Sequence, residues 1–222
     1  MITNPARHRA AFSLIELLVV CGIIAVIAAF AIPASVTMMR GSQLTQGSQV
    51  VTDQISLARQ TALTKNRSVE VRFYRYGDPE SPGEKGDDPE KGRYRGLQLF
   101  EITENGAALP LGRFQRLPSS IVMNVGSLST LVNPQNSRVA DREKGDPELG
   151  ILPDGSKWKY KIISFRFLPD GSTDLKPAPP HWFLTIHGIE DPEDVATPPA
   201  NFFTLQVDPI NGSTKSYRPN AG

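Results

Sequence analysis

The strongest pattern in the chain is an almost unbroken apolar run from Phe12 to Ile32. About twenty residues, each rising ~1.5 Å along a helix, cover a hydrocarbon core of about 30 Å, so the run predicts a membrane-spanning helix. Glu16 interrupts it, and a carboxylate inside a span is costly enough that it usually marks a function. Arg7 and Arg9 precede the run, which predicts a cytoplasmic N-terminus and places the rest of the chain outside that membrane.

A second helical pattern follows Pro33. Five apolar positions recur at spacings of seven, four, three and four residues, which is one face of a helix. The helix is therefore predicted to continue to about Asn66, with a kink or a loosened turn near Pro33, Gly41 and Gly47. The stripe consists of Leu44, Val51, Ile55, Ala58 and Ala62.

Alternating and extended patterns dominate the remainder of the chain. Val69, Val71 and Phe73 alternate with polar neighbours, which predicts a half-buried strand. Two Pro-Asp-Gly-Ser segments at 153–156 and 169–172 predict tight turns, as does Glu-Asn-Gly at 104–106. Further extended pieces are predicted at 96–102, 116–124, 158–167, 182–187 and 202–208, with a closing hairpin on an Asn-Gly turn at 210–217. The predicted fold class is α+β, with the long N-terminal helix packed on an antiparallel sheet.

Two segments break these patterns. Residues 77–92 contain six acids, several glycines and prolines, and no apolar residue, so they predict a mobile insertion loop. The acids raise the question of a calcium site, but their spacing matches no calcium-loop template and a solvated loop is favoured. Residues 126–150 are polar and irregular and predict a second mobile insertion.

The composition of the chain limits which partners and reactions it can support. The net charge of +1 points to no strongly charged partner, and the single cysteine, Cys21, lies in the apolar run. His8 precedes that run, and His181 and His187 have no acidic neighbour at ligand spacing, so both are predicted to be strand-edge or surface residues. The sequence contains neither a nucleophile elbow nor a dinucleotide fingerprint. We therefore predict no enzyme activity, no cofactor and no metal site.

The start of the chain resembles a known family. Arg-His-Arg-Ala-Ala at 7–11, followed by Phe-Ser-Leu-Ile-Glu-Leu-Leu at 12–18, is similar to the leader and mature start of type IV pilins and type II secretion pseudopilins. The resemblance implies cleavage between Ala11 and Phe12 by prepilin peptidase, N-methylation of Phe12, and pairing of Glu16 with a neighbouring subunit's terminal amine. Ala11 departs from the glycine that is most common before the cut. The apolar side chains implied in helix-to-helix packing are Leu14, Ile15, Leu17, Leu18, Ile23, Ile24 and Ile27, with Gly22 allowing close approach and Pro33 at a position where the family commonly has proline.

A narrower likeness covers the second helix and the first strand. Residues 49–73, with Ala-Arg-x-x-Ala leading straight into a strand, resemble the minor pseudopilins of the H-type and FimT-like group. The chain is also similar to a family called Verru_Chthon cassette protein D, in four segments: 44–46, 67–74, 165–175 and 182–185. These resemblances imply other pilins, the prepilin peptidase and methyltransferase, the inner membrane and a secretion or pilus assembly platform as partners.

The implied organisation has four parts and leaves alternatives open. They are a leader at 1–11, a transmembrane and filament-assembly helix at 12–32, its amphipathic continuation at 33–66, and a periplasmic antiparallel β domain at 67–222. The apolar run would also suit a secretory signal cut after residues 29–31, or a single-pass anchor for a membrane-anchored binding domain that joins no filament. A FimT-like role in DNA uptake is a further alternative that is not favoured, although the first strands carry basic residues: Lys65, Arg67, Arg72, Arg75, Arg93 and Arg95.

Overall fold

The computed structural model describes residues 13–133, 152–177, 181–193 and 197–219, without the side chains of 31–37. A single helix, α1, runs from Leu14–Lys65 in this part of the chain and remains helical through Pro33. The chain forms two compact units, Met1–Arg40 and Gly41–Gly222, and α1 contributes to both. The continuous helix is as predicted, whereas the predicted kink near Pro33 stays a prediction.

The end of α1 follows a well-defined capping pattern. Asn66 adopts a positive φ of 51°, and the N–H of Arg67 donates to the carbonyl of Ala62 at 3.3 Å. This is a Schellman motif, in which a left-handed residue turns the chain away and a free helix carbonyl regains a donor. Asparagine tolerates that conformation better than most residues do. The predicted helix stop at Asn66 is therefore confirmed.

The described residues after α1 form eight strands, and all the pairings between these strands are antiparallel. They join in the order β5-β1-β2-β4-β6-β7-β8, and β3 pairs with β2 beside β4. The predicted α+β class is confirmed. The strands are β1 Val69–Tyr76, β2 Arg93–Ile102, β3 Ala108–Arg116, β4 Ile121–Met123, β5 Tyr160–Phe167, β6 Trp182–Gly188, β7 Phe202–Val207 and β8 Thr214–Tyr217.

One face of the sheet packs against the second half of α1. The five stripe residues predicted from the sequence are all buried in the main core. The residues of β1 that were predicted to face inward lie in the same core. Their neighbours on β2 and β5 lie there too, because residues opposite each other on paired strands share a face. These sheet residues are Val69, Val71, Phe73, Leu97, Leu99, Ile163, Phe165 and Phe167.

The opposite face of β1 is also covered, so the prediction of a half-buried strand was wrong. Glu70, Tyr74 and Tyr76 are each at most 2% exposed. Tyr74 and Tyr76 join Leu152 and Ile162 in a second apolar cluster, and Phe114, Trp158 and Tyr160 pack against it. The cover comes from β3 and from the segment that begins at 152, which are far from β1 in sequence.

Strand β3 itself had no sequence prediction, because Pro110 and Gly112 interrupt its pattern. Gly112 has a φ of 80°, and the β2–β3 pairing shifts register between Leu97 and Leu99. The shift places three residues of β3, 112–114, against one residue of β2, and such a bulge bends the strand.

The described part of the second predicted insertion, 126–133, also differs from expectation. Leu131 and Val132 are buried in the main core, and Ser129 Oγ accepts the N–H of Thr185 at 2.8 Å. Residues 134–150 lie outside the described residues. The predicted turns are confirmed at Gly106, Gly155, Gly171 and Gly212, all of which have positive φ.

Candidate functional site

The first turn of α1 contains a reciprocal cap between Ser13 and Glu16. The backbone N–H of Glu16 donates to Ser13 Oγ at 3.2 Å, and the backbone N–H of Ser13 donates to Glu16 Oε2 at 2.9 Å. The Ser13 hydroxyl also donates to Glu16 Oε2 at 3.0 Å. This is a capping box, which satisfies donors that a helix start leaves free. Sequence analysis missed it, although Ser-x-x-Glu before an apolar run is its usual signature.

The side chains that follow the cap are apolar and exposed on every side of the helix. Leu14 is 82% exposed and Phe30 is 78% exposed. Contiguous apolar surface of this kind marks an association or membrane surface in most proteins. The predicted packing residues Leu14, Ile15, Leu17, Leu18, Ile23, Ile24 and Ile27 all belong to this surface.

The structure describes only some of the other residues that were predicted to function in this segment. An added Cβ at Gly22 would meet nothing within 4 Å, so the described chain does not itself use the space there. Ala11 and Phe12 lie outside the described residues, and for Pro33 only the helical backbone is described. Within the described side chains, no helix combines the length and apolarity needed to cross a membrane.

The six basic residues near the first strands do not form an open cationic surface. Lys65 Nζ and Arg67 Nη1 both contact Glu101, at 2.6 and 3.1 Å. Led by the Lys65 hydrogen bond, these contacts hold the pKa of Glu101 below its ordinary value. Arg72 Nε lies 2.6 Å from the buried Glu70.

The other three basic residues face the 77–92 loop. Arg75 Nε donates to the carbonyl of Gly92 at 2.9 Å. Arg93 Nε lies 3.6 Å from Glu84. Arg95, which is 3% exposed, contacts Glu84 at 2.6 Å and Asp78 at 3.4 Å. Each of the six cations is thus held by a carboxylate or a carbonyl of the chain.

These contacts give the 77–92 loop an internal framework that its sequence did not suggest. Arg95 also donates to Ser81 Oγ at 3.1 Å, so one buried guanidinium joins three residues of the loop. Farther along, the carbonyl of Gly86 accepts the N–H of Lys159 at 2.8 Å. The loop was expected to be solvated with nothing to bury, but it instead folds over a buried cation.

Metal-ligating groups do not converge in the described part of the chain, where no three His, Cys, Asp or Glu side chains could hold an ion together. His187 is fully buried rather than at a surface, which corrects its predicted location. Its Nδ1 donates to the carbonyl of Gly188 at 2.8 Å, which leaves Nε2 to accept from Asn124 Nδ2 at 3.3 Å. Both ring nitrogens are therefore used within the fold. His181 is exposed, as predicted.

Comparison with known proteins identifies the first segment of the chain. Residues 6–32 match the family model of the prokaryotic N-terminal methylation motif. The chain carries a prepilin-type methylation motif. This confirms the recognition made from Phe12 to Leu18, while the likeness to Verru_Chthon cassette protein D stays a prediction. No curated protein matches the chain.

Two solved structures show limited likeness to the whole fold. One is the minor pseudopilin EpsH from the Type 2 Secretion System of Vibrio cholerae, with a TM-score of 0.41 and 11% identity, covering 80% of this chain and 98% of that chain. The other is the type IV minor pilin FimU of Pseudomonas aeruginosa, with a TM-score of 0.40 and 13% identity, covering 81% of this chain and 94% of that chain. TM-scores this low carry no argument about function.

The methylation motif overlaps the described part of the chain from Ser13 onward. The matched residues include the capping box and most of the exposed apolar surface. Glu16 therefore has a role within its own helix, as a cap, in addition to any role between subunits.

Proposed function

We propose that the chain is a minor pseudopilin, a structural subunit of a type II secretion or type IV pilus-like filament. The observation that carries this proposal is the methylation motif at residues 6–32, whose apolar side chains lie exposed along α1. A structural role without enzyme activity follows from the same proposal. The partners are other pilins, a secretion or pilus assembly platform, and the inner membrane.

Processing would convert the chain into its assembly-competent form. Prepilin peptidase cuts between Ala11 and Phe12, and the new terminal amine of Phe12 is methylated. Residues 12–32 then form the single membrane span, which extends past the described side chains at both ends. The β domain lies on the periplasmic side, consistent with the arginines that precede the span.

Glu16 would set the register between neighbouring subunits. A terminal amine and a carboxylate are each costly alone in low dielectric, and pairing them lowers that cost. In the described chain Glu16 has no cationic partner of its own, since its hydrogen bonds all come from Ser13. The apolar side chains of α1 then pack against neighbouring helices, where the open space at Gly22 permits close approach.

Mass spectrometry of the mature chain tests this proposal directly. The chain is produced in cells with and without prepilin peptidase, and we expect a methylated Phe12 at the N-terminus only where the enzyme is present. An Ala11→Leu variant is the matched control and should remain uncut. A mature chain that begins at Ile32 would indicate a secretory signal, and a chain uncut in both strains would indicate a plain anchor. Either result would refute the proposal.

The DNA-uptake alternative receives little support from the geometry. Non-specific DNA binding depends on several cations that are free to neutralise phosphates. The six basic residues considered for this role are instead held by carboxylates and carbonyls. We expect the full chain to show no salt-dependent retention on DNA at low ionic strength, and retention that falls steeply with salt would restore the alternative.

A further inference from the structure

A groove of about 700 Å³ lies on the face of the sheet opposite α1. Its floor is formed by Arg72 on β1 and by Gln98 and Phe100 on β2. Phe114 lines it from β3, and Tyr160 lines it from β5. A volume of this size is typical of sites that hold a small molecule or a short peptide.

The β2–β3 bulge opens this groove. The register shift between Leu97 and Leu99 leaves Gln98 without a partner on β3, although it pairs with Arg72 on β1, and Gly112 on the bulged strand takes a positive φ of 80°. Bulges of this kind often lie beside functional sites because they re-aim side chains. At one end, Gly96 allows the Phe114 ring to lie directly over β2, since a Cβ there would collide with that ring.

Gln98 brings an unsatisfied polar atom to the groove. The side chain is 5% exposed, and its Oε1 receives no hydrogen bond from the described chain. Its Nε2 makes only a long contact of 3.4 Å with the carbonyl of Gly112. Buried side-chain carbonyls are nearly always satisfied in folded proteins, so Gln98 gains a hydrogen bond when a ligand brings a donor and the side chain turns its covered Oε1 toward it.

The charged groups of the groove differ in whether they are already paired. Arg72 contacts Glu70 at 2.6 Å and lies 3.9 Å from the Phe100 ring centre. Asp154 is held by Arg116 and by the N–H of Ser156. Arg113 is exposed and has no acidic partner among the described residues.

We propose that this groove binds an extended peptide segment of a partner protein, with an acidic side chain placed at Arg113. On binding, the Gln98 side chain turns its Oε1 out of the covered position to accept a backbone N–H of the peptide, and an adjacent peptide carbonyl accepts from Gln98 Nε2. An apolar side chain of the peptide lies between Phe114 and Tyr160. The inference does not depend on filament assembly.

The available polar groups favour a peptide over other ligands. One amide whose oxygen is unsatisfied and one cation without an acidic partner, set between aromatic walls, match a mostly apolar ligand with one amide and one negative charge. A sugar would need several converging polar groups, and in this groove Arg72 and Asp154 are already bonded. A nucleic-acid strand would need several free cations, and Arg113 is the one lining cation without an acidic partner in the described chain.

The test begins with the full chain, purified in detergent and immobilised. Phage-displayed random linear peptides are selected against it, after removal of phage that bind detergent micelles alone. The most enriched sequence is synthesised with a fluorescent label, and its affinity is measured by anisotropy. We expect enriched peptides to carry an acidic residue next to apolar ones.

Two variants and one control decide the result. Gln98→Leu removes the unsatisfied carbonyl with little change in size, and Arg113→Glu reverses an exposed charge. Each should weaken binding about tenfold or more, because each removes a buried or charge-assisted hydrogen bond. Lys215→Glu, on the exposed strand β8, makes the same kind of charge reversal away from the groove and should leave the affinity unchanged.

A double-mutant cycle guards against effects on folding. Replacing the acidic residue of the peptide by its amide should weaken binding to the wild type but not to Arg113→Glu. The proposal is overturned if no peptide is enriched, if both variants bind as the wild type does, or if the cycle shows no coupling. Competition by oligothymidylate or by a maltooligosaccharide that is equally sensitive to both variants would assign the groove to another ligand class and overturn it as well.

Discussion

Glu16 combines a cap within its own helix with a proposed charge pair between subunits, and the two roles can be separated. In Glu16→Gln, the amide oxygen can still accept the N–H of Ser13, because glutamine substitutes for glutamate in a capping box. The variant therefore loses the charge but keeps the cap. Ser13→Ala does the reverse, since it removes the hydroxyl that accepts the N–H of Glu16.

The expected magnitudes differ enough to distinguish the roles. Opposite charges about 4 Å apart at an effective dielectric constant of about 20 attract by about 4 kcal/mol, which is about three powers of ten in an assembly equilibrium. Loss of a serine cap costs about 1 kcal/mol. This is a small part of the stability of α1, which has 52 residues. We expect Glu16→Gln to abolish most assembly and Ser13→Ala to reduce it at most a few-fold.

The assay compares the membrane fraction with sheared filaments in cells that contain the partner pilins. Both variants should be cut and should reach the membrane at wild-type levels, and only Glu16→Gln should be depleted from filaments. The opposite ranking, with Ser13→Ala depleted and Glu16→Gln incorporated normally, would show that Glu16 acts as a cap and would refute the charge pair.

Three further predictions concern the β domain. Burial raises the pKa of Tyr76 from 10.0 to about 12, so the stability that the neutral phenol contributes is complete below pH 10 and is lost between pH 10 and about 12. Tyr76→Phe should therefore raise the midpoint of alkaline unfolding measured by circular dichroism, and an unchanged midpoint would contradict this. Gly96→Ala should cost about 1–3 kcal/mol in urea unfolding because its Cβ meets the Phe114 ring, whereas wild-type stability would show that the ring moves freely. Arg95→Met should cost about 3–5 kcal/mol and speed proteolysis within 77–92, because Glu84 loses its buried partner, and unchanged cleavage there would argue against the framework.

Features set by local sequence could be predicted well. The stripe from Leu44 to Ala62 repeats at helical spacing, and each of its members is buried. The stop at Asn66 and the turns at Gly155 and Gly171 depend on backbone conformations that few residue types adopt readily. In each case the signal, either helical spacing or a special backbone conformation, is local, so the sequence pattern contains it.

Features set by distant contacts could not be predicted in this way. Glu70 is polar, which suggested an exposed position, but Arg72 and Arg166 pair with it at 2.6 and 2.8 Å and allow it to be buried. Arg166 is far from Glu70 in sequence and reaches it through the β1–β5 pairing. Strand β3 was missed for a related reason, since Gly112 looks like a strand breaker until its bulge against β2 is known.

The capping box belongs to a different class, because its signal was present in the sequence. Ser13 and Glu16 are three residues apart at the start of an apolar run, which is the signature of such a cap. The pilin resemblance concerns only the charge of Glu16, whereas the cap depends on its position three residues after Ser13. A carboxylate with two uses is consistent with both readings, and the paired variants described above separate them.

The charge pattern of the β domain links two features that looked independent in the sequence. The basic residues of the first strands suggested a phosphate-binding surface, and the acidic loop at 77–92 suggested a solvated insertion or a cation site. In the structure Arg95 and Arg93 face Glu84, so the loop and the strands neutralise each other. Electrostatic attraction is therefore a weak basis for recognition in this region. Binding by the β domain should depend instead on shape and hydrogen bonding, which the groove beside Gln98 provides.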